Sequence, residues 1–206
     1  FKIYSKTGKA FDYAYALFFF FFEQLTEFKY GDMGQFHNGF IRARLSPKFV
    51  MESPGVQMQN PDRQWTFLDE NGKEITDVIF DDTGDFEDGL APVCIDKKVG
   101  FLNTKGELVI DYKYQQYVNM GFDGGLCRVG DENDRMGVIN TKGETVIPFE
   151  YNVISKFKNG VAFALLGDDG DDFLYIDINN NKYYPKFLQK VNKWVCVDSD
   201  DNIAEN

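Results

Sequence analysis

Residues 100–110 read GFLNTKGELVI and residues 137–147 read GVINTKGETVI, nearly the same segment offset by 37 positions. A chain that repeats itself at a fixed offset builds by stacking copies of one small motif, because each copy is too short to bury its own apolar face. Around these two segments a longer motif recurs four times. Each copy opens on an aromatic or apolar pair: Phe28 and Tyr30, Val78 and Phe80, Tyr112 and Tyr114, Phe149 and Tyr151. A Phe-x-x-Gly step follows at 36–39, 86–89, 122–125 and 157–160.

After each step the residues alternate with the period of a half-buried strand. Ile41, Ala43 and Leu45 form one face, leaving Arg42 and Arg44 to the solvent side. Ala91, Val93 and Ile95 repeat the inward set, as do Cys127 and Val129, then Ala162 and Ala164. A second strand carries Phe67 and Leu68, Phe101 and Leu102, Val138 and Ile139, or Tyr175 and Ile176. It runs into a turn at 69–72, 103–106, 140–143 and 177–180, with Asp or Asn first and Gly or Asn last. The first residue accepts a backbone hydrogen bond and the last tolerates a positive φ, so the sequence predicts a type I turn with a bulge closing a β-hairpin. A third short strand comes next, as at 107–110 and 144–147, and Pro148 is expected to stop it because proline has no N–H to give a ladder. The turn tips at 72, 106, 143 and 180 set a period of about 36 residues.

The organisation expected is a degenerate part-repeat with a Phe-rich buried segment at 1–27, repeats at about 28–77, 78–111, 112–148 and 149–185, and a C-terminal cap at 186–206. Trp194-Val195-Cys196-Val197-Asp198 echoes Trp65-Thr66-Phe67-Leu68-Asp69 but arrives too soon for a full repeat. Residues 46–64, with three prolines and no periodicity, predict a surface loop. The run at 14–22 includes five consecutive Phe yet is far shorter than the about 20 residues a membrane helix needs. It reads as a buried strand or short buried helix, and no membrane span is expected.

Residues 122–151, FDGGLCRVGDENDRMGVINTKGETVIPFEY, resemble along their whole length the bacterial WG repeat, also called the KWG repeat. That unit runs from an aromatic step to Gly, through a strand and a Trp-Gly pair, to a Thr-Lys-Gly turn and an Ile-Pro ending. The resemblance covers about 28–185, although the Trp-Gly place reads Trp65-Thr66, Val99-Gly100, Met136-Gly137 and Phe173-Leu174. It implies an all-β tandem array of about four three-stranded antiparallel repeats, an open curved solenoid, with a closed propeller-like array as the alternative. An aromatic share of 17%, with 21 Phe and 11 Tyr, agrees with β structure. The family is a structural unit found in many contexts with no shared catalytic set, so the resemblance implies no activity.

Chemistry is sparse. His37, the one histidine, falls where the other copies place Glu87, Asp123 and Lys158, a solvated turn position. Cys94, Cys127 and Cys196 show neither a disulfide framework nor metal-ligand spacing and read as small buried apolar residues. A formal charge of −11 repels phosphate backbones and excludes nucleic acid as a partner. Tyr112, Tyr114, Tyr151, Tyr183 and Tyr184 read as packing between repeats before any ligand surface.

One constellation stands out. Asp131, Glu132 and Asp134 lie between the first and second strands of one repeat, and Asp168, Asp169, Asp171 and Asp172 occupy the equivalent loop of the next. Stacking would put both on one edge as an acidic ridge, suited to a protein partner with a basic surface, to Ca²⁺, or to keeping the protein soluble. The function expected is a non-enzymatic protein-binding or scaffold module, with no cofactor. Alternatives are a carbohydrate-binding protein of the bacterial cell envelope and, third, a hydrolase. The compartment expected is the bacterial envelope or the exterior.

Overall fold

A computed structural model describes residues 30–45, 65–115, 120–167, 172–188, 193–200 and 202–203. The Phe-rich run at 14–22, the rest of the N-terminal part-repeat 1–27, the insertion at 46–64, and Asp168, Asp169 and Asp171 lie outside them. Every regular element among the described residues is a β-strand, all strand pairs are antiparallel, and no sheet closes on itself. This is the open, all-β repeat array that the sequence implies. Two compact units divide the chain, Phe1–Tyr112 and Lys113–Asn206.

In the first unit β1 (Tyr30–Met33), β2 (Phe40–Leu45) and β3 (Trp65–Asp69) form one sheet in that order. Then β4 (Asp82–Thr83), β5 (Leu90–Ile95) and β6 (Lys98–Asn103) pair in sequence, and β7 (Leu108–Gln115) carries the chain into the second unit. There β8 (Leu126–Gly130), β9 (Met136–Asn140) and β10 (Thr145–Tyr151) form the third repeat. The fourth repeat consists of β11 (Val153–Ile154), β12 (Val161–Leu166), β13 (Asp172–Asp177) and β14 (Lys182–Leu188), and β15 (Lys193–Val197) pairs with β14.

Pairing of the first and second strands keeps one register throughout: Ala43 faces Thr66, Val93 faces Gly100, Val129 faces Gly137 and Ala164 faces Leu174. Each repeat sheet therefore turns alternate residues of its paired strands to an inner and an outer face. In the first unit, Phe67 on the outer face of β3 packs with Ala91, Val93 and Leu102 on the inner face of the second repeat, with Phe40 and Trp65 alongside. In the second unit, Val138 of β9 packs in the same way with Ala162, Ala164, Leu174 and Ile176. Stacking sheet on sheet is what buries the core, at roughly 1.5–3 kcal/mol for each large side chain covered.

The tips follow residue by residue from the sequence. Asp69 Oδ1 accepts the amides of Asn71 and Lys73 at 2.9 Å, and Gly72 takes φ 76°. Asn103, Asn140 and Asp177 do the same, with Asn180 at φ 62° in the glycine's place in the last. Asp198 caps Asp200 and Asn202 identically, and Val197 bridges Ile203 as Leu68 bridges Glu74, so the C-terminal segment follows the repeat to this point.

Two expectations are corrected. Pro148 does not end the third strand: β10 runs on to Tyr151, and the pairing with β9 shifts register between Ile147 and Tyr151, where a residue without an N–H is tolerated. Arg42 is not a solvent-side residue. Its Nη1 donates to the Thr83 carbonyl at 2.8 Å, and its guanidinium lies over the Trp65 ring.

Candidate functional site

Of the acidic residues that the sequence singles out, Asp131, Glu132, Asp134 and Asp172 are among those described. Asp131 opens the β8–β9 loop, and its Oδ1 accepts the amides of Asn133 and Arg135 at 2.9 Å. This is the same capped turn found at the other tips, with Asp134 at φ 59° where Gly72 stands elsewhere. Asp131 therefore serves its own backbone first, while Glu132 and Asp134 point into solvent. Asp172 is exposed at the start of β13, opposite Leu166.

Arg135 ties this loop to the next. Its Nη1 donates to Asn152 Oδ1 at 2.5 Å and to the Gly167 carbonyl at 3.2 Å. Gly167 directly follows β12, so the β8–β9 loop is held against the end of β12. Guanidinium donation to two oxygens at once fixes both position and orientation.

His37 bridges Phe40 across the two-residue turn Asn38-Gly39, and its Nε2 lies 2.9 Å from Oε1 of Glu87, the equivalent residue of the next repeat. Beside it, Asn38 Nδ2 donates to the Phe86 carbonyl at 2.6 Å. These steps are reciprocal hairpin turns with positive φ at Asn38 and Gly39, Asp88 and Gly89, Gly124 and Gly125, and Asn159 and Gly160. The sequence signal was present, since Asn-Gly, Asp-Gly and Gly-Gly between strands favour the mirror-image turn. Reading the step only as Phe-x-x-Gly missed it.

Tyrosines divide by location. Tyr114 and Tyr151 are buried, while Tyr184 is exposed. Tyr151 donates to Asn180 Oδ1 at 2.6 Å, Asn180 donates to Glu150 Oε1 at 3.1 Å, and Lys182 Nζ stands 3.2 Å from the same oxygen. Burial alone would raise the Glu150 carboxyl; the bonds from Asn180 and Lys182 outweigh it and hold the group below its ordinary range. Burial, with Glu150 alongside, pushes the Tyr151 phenol well above its ordinary value. This network is a structural brace at the last turn. Among the described residues no group of three His, Cys, Asp or Glu is placed to hold a metal ion, and no helix is long and apolar enough to cross a membrane.

The place of the Trp-Gly pair has a steric meaning. A Cβ on Gly100 would lie 2.6 Å from the Ile110 carbonyl, and one on Gly137 would lie 2.8 Å from the Ile147 carbonyl. The third strand of each of these repeats crosses so close that only hydrogen fits. A WG containing repeat model matches residues 65–98, 100–133 and 136–168. The chain belongs to the WG-repeat family. Each match to this WG-repeat chain begins at or beside the Trp-Gly place, at Trp65, Gly100 and Met136.

No curated protein matches the sequence. Among solved structures, the computationally designed Ika8 protein is similar with a TM-score of 0.42 and 11% identity, over 84% of this chain and 57% of that one. The designed Ika4 protein gives 0.32 and 13%, over 58% of this chain and 85% of its own. BamB from Moraxella catarrhalis gives 0.37 and 14%, over 64% and 39%. These scores are low, and the fold assignment rests on the repeats.

Proposed function

We propose that this WG-repeat array is a non-enzymatic binding or scaffold module that holds a protein partner with a basic surface along the edge carrying the β8–β9 and β12–β13 loops. The observation that supports this reading is the Arg135 tie, because it fixes one acidic loop against the base of the next. Repeat arrays suit such a task, since stacked loops present an extended surface on a rigid frame. Glu132, Asp134 and Asp172 are exposed there, and the sequence adds Asp168, Asp169 and Asp171.

An acidic edge on a chain of charge −11 steers basic surfaces toward it and loses its pull as salt rises. A lysine-rich peptide, titrated calorimetrically against the protein at low and high salt, tests the proposal. Binding should be salt-sensitive and should fall about tenfold when Glu132 becomes Gln and Asp168, Asp169, Asp171 and Asp172 become Asn. Binding unchanged by those substitutions removes the edge from consideration.

A further inference from the structure

Asn-Gly occurs three times in the chain, at 38–39, 71–72 and 159–160. In this dipeptide the glycine nitrogen can attack the carbonyl carbon of the asparagine side chain, because the glycine carries no side chain to block the approach. All three pairs sit in turns, with φ 48° at Asn38, 76° at Gly72 and 53° at Asn159. Their surroundings differ in the two groups that the reaction uses, the glycine N–H and the asparagine amide.

At 71–72 the nucleophile is occupied, since the Gly72 N–H donates to the Asp69 carbonyl at 3.0 Å. In the other two turns the cross-bonds run between His37 and Phe40 and between Lys158 and Val161, leaving the Gly39 and Gly160 nitrogens outside them. A Cβ on either of these glycines would meet nothing within 4 Å, so both tips stand open to water. At 38–39 it is the amide that is occupied, with Nδ2 held on the Phe86 carbonyl at 2.6 Å. Asn159 is exposed, and its side chain makes no hydrogen bond to any described residue. Ring closure has to swing Asn159 out of its left-handed conformation, and an exposed two-residue tip is where such local opening costs least.

We propose that Asn159 is a site of spontaneous deamidation, which remodels the turn leading into β12. The Gly160 nitrogen bonds to Asn159 Cγ as the Cγ–Nδ2 bond breaks, the amide group leaves with the glycine proton as ammonia, and water then opens the cyclic imide at either carbonyl. Opening at one carbonyl gives Asp, and at the other a β-linked isoaspartate. The fold accepts Asp here, because Asp88 holds the same place in the second repeat at φ 49°. Isoaspartate lengthens the backbone by one carbon, inside a turn that fits two residues between the bridged Lys158 and Val161. One product thus adds a negative charge beside Lys158, and the other breaks the hairpin.

Peptide mass mapping of the folded protein, held at mildly alkaline pH over a time series, follows the three sites separately. Asn159 should convert first, with Asn38 about fivefold slower because an ordinary hydrogen bond must break before its amide is free. Asn71 should lag in the same way behind its engaged glycine. In urea the three rates should converge, since the sites share one dipeptide and lose their turns. Asn159→Gly, which copies the Gly124-Gly125 step of the third repeat, should remove the fast phase and keep the β-sheet circular dichroism of the wild type. Equal rates at the three sites of the folded protein overturn the proposal, as does a fastest site other than Asn159. Conversion of Asn159 in urea but not in the folded protein overturns it too, by showing that the turn protects this residue.

Discussion

Arg42 donates from Nη1 to the carbonyl of Thr83 at 2.8 Å, and Arg128 repeats the contact with Ile154 at 3.0 Å. Each arginine leaves the outer face of one repeat sheet and ends on the short opening strand of the next. The second repeat has Pro92 at this place. One such latch thus lies inside each unit, joining the first repeat to the second and the third to the fourth.

Removing a latch leaves a carbonyl without its charged donor. Arg42→Ala and Arg128→Ala should each cost about 1.5–3 kcal/mol in urea unfolding. The loss at Arg42 should be the larger, because its Nε also lies 2.7 Å from Asp85 Oδ1 and its guanidinium covers Trp65. Lysine in either place should recover only part, lacking the planar fork.

The Trp-Gly place should respond to single methyl groups. Gly137→Ala and Gly100→Ala are expected to destabilise by about 1–3 kcal/mol, as the added carbon is forced onto a backbone oxygen. In the first repeat the same place holds Thr66, fully buried, whose hydroxyl finds no hydrogen-bond partner among the described residues. Thr66→Val keeps the shape and removes the unsatisfied oxygen, so unfolding should require about 1 kcal/mol more.

Much of this was legible in the sequence. Alternation at Ile41, Ala43 and Leu45 gave the buried face, and the Asp or Asn opening each turn gave the capped tips, since both signals are local. The role of Arg42 was not legible from its own strand, where alternation assigns it to solvent. It becomes visible only when the next repeat's Thr83 is placed beside it. Pro148 misled for a similar reason: a missing N–H matters only where the partner strand asks for one, and the register shift there means that β9 does not. For the candidate site, the sequence located the acids but not Arg135, whose two acceptors lie 17 and 32 residues further along the chain.

Acid should loosen the turns. Burial tends to raise the Asp177 carboxyl, but bonds from Asn181, Asn179 and Tyr183 prevail and lower it. A carboxylate depressed in the folded state gives its full stability above its unfolded value, near 3.8, and loses it as pH falls through the depressed one. Urea midpoints should therefore drop as pH falls below about 4. Asp177→Asn should flatten that drop while keeping the cap, as Asn103 and Asn140 cap the equivalent turns.

Thiol reactivity should sort the cysteines by depth. Cys94 and Cys127 are buried, and burial pushes the Cys127 thiol up to about 11. At pH 8 a disulfide reagent should label Cys196 quickly and the other two only on unfolding. Cys196→Ser should abolish the fast phase. Because a raised thiol favours the folded state only below its unfolded value, stability should also decline above pH 9.0, toward about 11.

The close crossing at Gly100 and Gly137 also constrains how copies of this motif diverge. A side chain at that place goes with a change in the following segment: beside Leu174 of the fourth repeat, β14 pairs with β13 in step through Lys182 and Tyr183, without the shift that β10 makes beside Gly137. The first repeat goes further, with Thr66 beside a 74–80 stretch that, among the described residues, pairs through single bridges at its two ends. Loss of the glycine is thus a marker of altered backbone, and scanning any such array for that one substitution would locate the copies whose third strand has shifted its pairing or left it.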